Sequence, residues 1–312
     1  MNYSIGIDMG GTNIKGIAIM DDGKVLSQNS RPTRDDDDFA NHNNIPIWAR
    51  EIKALIADIE DELGQAPMHV GVATPGLVAP DGRSIAFMPG RLHGLEGFDW
   101  SNYLGMDVPV LEDAKAALLA EAWLGAAAGC RNAIMLTLGT GVGGAIFADG
   151  KLLMGQIGRA GNLGHMTLGV DDAPDITGMP GSLENAIGEC TVSQRCYNTY
   201  GSTKDLVVAV ESGNEAALQI WNRAVYKLAC GIASLVNIID PEIVLIGGGI
   251  SKAGDTLFKP LNEYLAKVEW RPNGHRARII PATLGEWAGS MGSAYNAILQ
   301  AAKSPATAVK QL

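Results

Sequence analysis

Three glycine-rich segments, each directly after a predicted strand, are the features of this sequence best suited to chemistry. The first is Asp8-Met9-Gly10-Gly11-Thr12-Asn13-Ile14-Lys15. Glycines let a backbone approach a ligand closely and aim N–H groups at oxygen atoms. An aspartate at a strand end can hold Mg²⁺ through water, and Thr and Lys side chains can meet phosphate oxygens. Taken alone, this segment would equally fit a simple hairpin turn.

The second segment, Leu138-Gly139-Thr140-Gly141-Val142-Gly143-Gly144, repeats the Gly/Thr chemistry without the aspartate. The third runs from Asp240 to Gly249 and closes with three glycines. A flat glycine surface beyond a strand can accept an adenine or ribose, although alone it fits a tight turn equally well. The first two loops are each followed by a strand, which argues against a Walker A loop and a Rossmann fingerprint.

The elements around these loops repeat one plan. Strand, glycine loop and strand follow one another at residues 3–20 and again at 133–147, which indicates two lobes of similar construction. Apolar residues at helical spacing predict helices over 45–63 and 218–239, and small residues predict another over 289–302. Short strands are predicted to end before Thr74-Pro75-Gly76 and before Glu112-Asp113.

Together the three loops resemble those of the actin-like ATPase superfamily, and most closely the ROK family of bacterial sugar kinases and sugar-responsive repressors. The family patterns Asp-x-Gly-Gly-Thr-x-x-Lys, Leu-Gly-Thr-Gly-x-Gly-Gly and Asp-Pro-x-x-Ile/Val-x-x-Gly-Gly match residues 8–15, 138–144 and 240–248. The resemblance runs from Ile5 to about Ala301. It implies an α/β fold of two ribonuclease-H-like lobes with an ATP and sugar cleft between them. We expect a small lobe of residues 1–115 plus 290–312 and a large lobe of 116–289.

The resemblance implies MgATP as the phosphoryl donor, with Asp8 holding Mg²⁺ through water. The residues expected to bind ATP and its phosphates are Asp8, Gly10, Gly11, Thr12, Lys15, Gly139, Thr140, Gly141, Gly247 and Gly248.

Asp113 is the best candidate for a general base, because it follows an apolar strand and precedes a helix. A plain helix cap is the alternative role for an aspartate there. By resemblance, Asp113 is the Asp of the family pattern Asn-Asp-Ala-Asn and takes the proton of the attacking sugar hydroxyl. The residues expected at the sugar are Gly76, Glu112, Asp113, Asn162, His165 and Glu184.

Two of these positions depart from the family in opposite senses. Glu112 replaces the Asn before the catalytic Asp, and Asn162 replaces the Glu of Glu-x-Gly-His. A carboxylate only accepts hydrogen bonds, whereas an amide also donates, so an altered sugar preference is one hypothesis. In the other, Glu112 pairs with Lys115 at i,i+3 and the protein is a glucokinase. In a third, only sugar binding remains, but the retained Asp113 and both phosphate loops argue against it.

Many ROK proteins bind zinc through the His of that motif and three cysteines of Cys-x-Cys-Gly-x-x-Gly-Cys. Here Asp175, Thr177 and Ser182 replace the cysteines. Because Zn²⁺ prefers thiolate and imidazole ligands, we predict no structural zinc and a loop held by hydrogen bonds.

The composition of the chain bears on its partners and its location. The chain has 312 residues, 24 Lys+Arg against 34 Asp+Glu, and a net charge of -10. We therefore expect no nucleic-acid partner. We also expect no membrane segment, and four scattered cysteines predict a cytoplasmic protein with reduced thiols. Because only seven residues precede Asp8, we expect no repressor-type DNA-binding domain.

The expected activity is therefore that of an ATP-dependent hexokinase or glucokinase, acting on a hexose hydroxyl. The resemblance to the family implies the 6-hydroxyl. The alternatives are a kinase for another sugar, such as an N-acetylhexosamine, mannose or fructose, and a catalytically weak sugar-binding protein. A homodimer is expected, since symmetric dimers are the commonest assembly.

Overall fold

The structure, a computed structural model, describes residues 2–35, 45–88 and 90–303. These residues divide into two units. The first contains residues 2–128, 154–159 and 286–303, and the second contains 129–153 and 160–285. Residues 304–312, which the sequence assigned to the small lobe, lie outside the described part of the chain.

The described residues form strands and α-helices in the following order. The strands are β1 (Ser4–Met9), β2 (Asn13–Ile19), β3 (Val25–Pro32), β4 (His69–Thr74), β5 (Leu77–Val78), β6 (Ile85–Phe87), β7 (Val110–Glu112), β8 (Ala133–Leu138), β9 (Val142–Ala148), β10 (Lys151–Leu152), β11 (Ile243–Gly247) and β12 (Arg278–Pro281). The helices are α1 (Ile47–Leu63), α2 (Trp100–Leu104), α3 (Asp113–Leu124), α4 (Leu183–Ile187), α5 (Val192–Arg195), α6 (Thr203–Glu211), α7 (Glu215–Ile239), α8 (Asp255–Val268) and α9 (Ala288–Lys303).

The first unit is built on a five-stranded sheet in the order β3-β2-β1-β4-β7. Strands β1, β4 and β7 are parallel to one another, and β2 and β3 are antiparallel additions. Helix α1 turns its buried stripe, Trp48, Ile52, Leu55, Ile56 and Ile59, toward the sheet. It ends at Gly64, whose left-handed φ of 68° allows the chain to turn away.

The second unit repeats this plan. Its sheet has the order β10-β9-β8-β11-β12, with β8, β11 and β12 parallel and β9 and β10 antiparallel. The predicted internal repetition is therefore confirmed, since strand, glycine loop and antiparallel strand open both sheets. Helix α7 covers this sheet with a long buried stripe that includes Trp221, Leu228 and Ile232.

Helix α9 packs unusually closely on the first sheet. A Cβ at Gly71 of β4 would collide with the carbonyl oxygen of Ser293. On the same helix, the Ser293 hydroxyl donates to the Ile7 carbonyl at 3.0 Å. Small residues on both surfaces thus allow backbone-to-backbone approach and fix α9 against the strands that carry the candidate site.

Helix α3 belongs with the first unit, whereas the sequence placed the lobe boundary at residues 115/116. The indole of Trp123 in α3 stacks on Tyr295 of α9, with ring centroids 4.3 Å apart. A Cβ at Gly292 of α9 would collide with the Ala116 carbonyl of α3. The unit therefore continues to residue 128.

Within the described ranges, no helix combines the length and apolarity needed to cross a bilayer. The four cysteines, Cys130, Cys190, Cys196 and Cys230, are free thiols.

Candidate active site

The carboxyl ends of three parallel strands gather the candidate residues of the first unit. Asp8 of β1 pairs in register with Ala73 of β4, and Thr74 pairs with Glu112 of β7. Asp8, the Thr74-Pro75-Gly76 turn and Asp113 therefore lie along one edge of the sheet, which is where ligands bind in open α/β sheets.

The first glycine loop joins β1 to β2 at this edge. Gly10 donates its N–H to the Asn13 carbonyl at 3.0 Å. The buried Thr33, directly after β3, holds the loop in place: its hydroxyl donates to the Gly10 carbonyl at 2.6 Å, and its N–H donates to the Thr12 carbonyl at 2.9 Å. Gly11 and Thr12 stay exposed. The loop is thus held in shape while its tip is open to a ligand.

Two carboxylates at the edge influence each other. Burial and the negative charge of Asp113 raise the pKa of Asp8 to about 7, although Lys15, its register partner on β2, opposes the rise. Burial also raises the pKa of Asp113, and the Ala114 N–H and Arg91 act against that rise. Asp113 keeps solvent contact even though protein surrounds it closely. Its Oδ1 accepts from the Ala114 N–H at 2.7 Å.

The arrangement suits Mg²⁺. Carboxylate oxygens are its preferred protein ligands, and the ion usually takes one or two of them together with water and substrate phosphate. A divalent cation would relieve the repulsion between Asp8 and Asp113. Among the described residues, no group of three His, Cys, Asp or Glu side chains is placed to hold a metal ion.

Lys15 has a protein partner at this edge. Its ammonium lies 2.8 Å from Oε2 of Glu286 and donates to the Glu286 carbonyl at 3.2 Å. The Glu286 side chain is 68% exposed, so this ion pair is screened by solvent and a phosphate can compete for Lys15.

Glu112 pairs with Lys115, as one of the two hypotheses for this position expected. The Lys115 ammonium lies 3.0 Å from Oε1 of Glu112, and both side chains are buried. Lys115 also donates to the Gly158 carbonyl. Burial raises the pKa of Glu112, whereas Lys115 counteracts that rise. Relative to the family pattern Asn-Asp-Ala-Asn, the negative charge added at Glu112 is thus neutralised by the positive charge added at Lys115.

Two further residues at this edge escaped the sequence analysis. A Cβ at Gly289, in the first turn of α9, would collide with the Asp8 carboxylate. A Cβ at Gly11 would lie 2.7 Å from Nη2 of Arg91, so the guanidinium rests on the first glycine loop. Their distance in sequence from residues 8–15 hides both contacts, and only the isolated cation in Gly90-Arg91-Leu92 could have drawn attention to Arg91.

The second unit holds the other glycine loops at the carboxyl ends of β8 and β11. Gly139 donates to the Gly141 carbonyl at 2.9 Å. The Glu189 N–H donates to the Gly139 carbonyl at 2.9 Å, and the Cys190 N–H donates to the Thr140 carbonyl at 2.8 Å. The segment after α4 therefore clamps this loop.

The third glycine segment lies beside the second. Gly247 of β11 pairs with Thr137 of β8. Gly248 has a φ of +85°, and a Cβ there would collide with the Leu138 carbonyl. Only glycine allows this close approach, which brings the two motifs to one surface.

The comparison with known proteins decides the family. The sequence profile of the ROK family matches residues 4–300. The chain belongs to the ROK family. A glucokinase of Thermotoga maritima is 32% identical to this ROK protein over 93% of the chain and 95% of the relative. An N-acetyl-D-glucosamine kinase of Aliivibrio salmonicida is 29% identical over 93% of the chain and 98% of the relative.

Solved structures confirm the predicted fold of this ROK protein. A ROK family glucokinase from Streptomyces griseus, in complex with glucose and AMPPNP, superposes with a TM-score of 0.78 at 26% identity, covering 96% of this chain and 100% of that one. The two sheets of identical strand order are thus those of the actin-like ATPase fold.

The loop that carries Asp175, Thr177 and Ser182 in place of the three cysteines of the family pattern is centred on Asp175. Oδ1 of the buried Asp175 accepts from the Thr177 N–H at 2.8 Å, the Thr177 hydroxyl at 2.7 Å and the Met179 N–H at 3.0 Å. Ser182 caps α4 by accepting from the Asn185 N–H at 3.2 Å. The prediction that hydrogen bonds hold this loop is confirmed. These hard oxygens do not fit a structural zinc, for which thiolates are the usual ligands.

Three predicted sugar residues lie in this second unit. His165 ends a short 3₁₀ turn that Asn162 begins, and its Nδ1 lies 2.8 Å from Oδ2 of Asp175. Glu184 of α4 instead faces the second glycine loop, where its Oε2 accepts from the Val142 N–H at 2.9 Å. Sequence reasoning predicted Glu184 at the sugar and did not predict this link to the loop.

Proposed function

We propose that this protein is an ATP-dependent sugar kinase that transfers the γ-phosphoryl group to the 6-hydroxyl of a glucose-like hexose. One observation carries the proposal: Asp113 lies at the same sheet edge as Asp8 and the first glycine loop. A proton acceptor, a magnesium-binding carboxylate and a phosphate-binding loop are the groups that phosphoryl transfer requires of a protein.

In the proposed reaction, Asp113 accepts the proton of the sugar hydroxyl as its oxygen bonds to the γ-phosphorus. The bond from that phosphorus to the bridging oxygen of ADP breaks. Backbone N–H groups of the first glycine loop and Lys15 stabilise the charge on the phosphoryl oxygens. Mg²⁺, bound through Asp8, supplies charge neutralisation when present.

A glucose-like substrate is supported by the buried Glu112–Lys115 pair. Because Lys115 engages the carboxylate, Glu112 brings no uncompensated negative charge to the sugar. The alternative, an N-acetylhexosamine, is supported by Asn162, whose amide both donates and accepts hydrogen bonds. We propose the hexose because the Glu112–Lys115 pair neutralises the carboxylate at position 112, which was the main reason to expect an altered sugar preference.

A coupled ADP-release assay across glucose, mannose, fructose, N-acetylglucosamine and N-acetylmannosamine tests the proposal. The highest kcat/KM is expected for glucose, with the phosphate located at position 6 by NMR of the product. Preference for an N-acetylated sugar would overturn the substrate assignment, and absence of turnover with every sugar would overturn the kinase. Sedimentation of the same sample tests the expected homodimer.

A further inference from the structure

The loop around Asp175 is folded about that carboxylate. The Asp175 N–H donates to the Met179 carbonyl at 2.9 Å, and the Gly178 N–H donates to the Asp175 carbonyl at 2.9 Å. Pro174 and Pro180 form an isolated β-bridge that closes the loop. The Asp175 side chain has no exposed surface. Its carboxylate is therefore fixed by the backbone around it.

The hydrogen bonds to this carboxylate define its charge. Three donors from Thr177 and Met179 converge on Oδ1, and the remaining oxygen, Oδ2, faces Nδ1 of His165. Burial alone would raise the pKa of Asp175, but the hydrogen bonds from His165, Thr177 and Met179 hold that pKa well below its usual range. An ionised carboxylate can only accept hydrogen bonds.

The contact with Asp175 determines which nitrogen of the His165 ring carries the proton. Since Asp175 only accepts, Nδ1 of His165 must carry the proton across the 2.8 Å contact. A neutral imidazole has one N–H, so Nε2 is left as a bare acceptor. The His165 side chain is 31% exposed while the Asp175 side chain has no exposed surface, and Nε2 is the ring nitrogen that does not contact Asp175.

We propose that Asp175 is a positioning residue that holds His165 in the Nδ1–H tautomer, so that Nε2 accepts a hydrogen bond from a substrate hydroxyl. The identity of the ligand as a sugar rests on the proposed function. The tautomer does not, because it follows from contacts inside the second unit. A carboxylate on the far nitrogen is a general way of fixing the tautomer and orientation of a working histidine.

An acceptor at Nε2 has a consequence for recognition. A sugar hydroxyl must donate to it, and a C–F group cannot. At the position that His165 contacts, the deoxy and deoxyfluoro sugars should therefore lose affinity equally. With the proton on Nε2 instead, the fluorine could accept weakly and the fluoro sugar would bind better than the deoxy sugar.

The direct test is NMR of the full chain labelled with ¹⁵N in its five histidines, recorded at about pH 8, where an unperturbed imidazole is neutral. The His165 signals are assigned by their loss in His165→Asn. We expect a proton-bearing Nδ1 and an unprotonated Nε2. A His165 spectrum with the proton on Nε2 would overturn the proposal without any variant.

Asp175→Asn supplies the second test, because its amide can donate as well as accept and no longer enforces one tautomer. We expect a mixed His165 spectrum and a KM for sugar raised about 10- to 100-fold, with kcat changed much less. The control, Thr177→Val, removes a donor to Asp175 but keeps the carboxylate beside His165, so its His165 tautomer should match the wild type. A folded Asp175→Asn protein with wild-type spectrum and KM would refute the assignment.

Failure of the two proposals can be told apart. The expected His165 spectrum in a protein that phosphorylates no sugar contradicts the kinase and supports the tautomer. Turnover of sugar by a protein whose His165 carries its proton on Nε2 supports the kinase and contradicts the role of Asp175.

Discussion

The environment of Asp8 disfavours the negative charge of its carboxylate. Its pKa rises from 3.8 to about 7, so the folded protein binds a proton there more tightly than the unfolded chain does. This contribution to stability is complete below about pH 4 and is lost as pH rises through 7. The proposed magnesium site uses the ionised form, which is the less stable one in the absence of Mg²⁺.

Asp8→Asn should therefore stabilise the metal-free protein while abolishing its activity. The gain over wild type should grow between pH 4 and 7 and level off above 7 at about 1–3 kcal/mol, below the full shift because Asp8 is only half-buried. Urea unfolding at several pH values without Mg²⁺ measures it. A gain that is the same at pH 5 and pH 8 would show that the burial of charge at Asp8 is not the cause.

Arg91 is a second residue that we expect to act at the site. Its guanidinium lies against Gly11 and lowers the pKa of Asp113 from the value that burial alone would set. An arginine beside a phosphate loop can neutralise charge on the transferred group. Arg91→Met should lower kcat about 100-fold, and Arg91→Lys should keep part of the activity. An unchanged kcat in Arg91→Met would remove it from the site.

Sequence reasoning proposed site residues inside contiguous motifs and missed residues that reach the same sheet edge from distant parts of the chain. Asp8 and the residues of its loop are close in sequence, so the motif itself shows that they lie together. Arg91 and Gly289 reach the same edge through tertiary packing, which spacing does not encode. Asp175 was noticed only as a lost cysteine, since its four hydrogen bonds depend on the folded loop.

At the scale of elements, the start of α3 depends on one buried ion pair. Glu112 ends β7 and Lys115 lies in the first turn of α3, on either side of Asp113. Removing one partner leaves the other charge buried, which typically costs about 3–5 kcal/mol. The pair was foreseen as an i,i+3 contact, but its complete burial could not be read from the sequence.

Glu112→Gln and Lys115→Met should each destabilise the protein by about 3–5 kcal/mol. The double variant Glu112→Gln/Lys115→Met should recover more than half of the summed loss, because it leaves no unpaired charge buried. Urea unfolding of the three variants provides the measurement. Strictly additive losses in the double variant would show that the two side chains are not coupled.

The first turn of α9 positions Asp8 by leaving space for it. In Gly289→Ala the new methyl group would displace the carboxylate, and small displacements at a reacting centre can cost about 100-fold in rate. We expect kcat to fall by that order with the fold intact. The control is Gly201→Ala, where a Cβ meets no atom within 4 Å. Wild-type kcat in Gly289→Ala would show that the contact with Asp8 is unimportant.

At the scale of the whole molecule, each of the two units is built on a five-stranded sheet of the same topology. The sequence predicted this repetition from two strand–loop–strand segments, and the matching strand orders confirm it. The sequence could not predict where the first unit ends, because α3 belongs to that unit only through its packing on α9. Small residues such as Gly292 permit that packing, but no pattern within the α3 sequence indicates it.

Asp113→Asn tests the central claim most directly, because an amide keeps the shape of the side chain but cannot accept the proton. We predict that the variant binds glucose and MgATP with wild-type affinity, while ADP release in the presence of glucose falls about 10²- to 10⁴-fold. Isothermal titration of the same preparation supplies the binding control. A variant that binds both ligands and releases ADP at the wild-type rate would contradict Asp113 as the base and the phosphoryl transfer built on it.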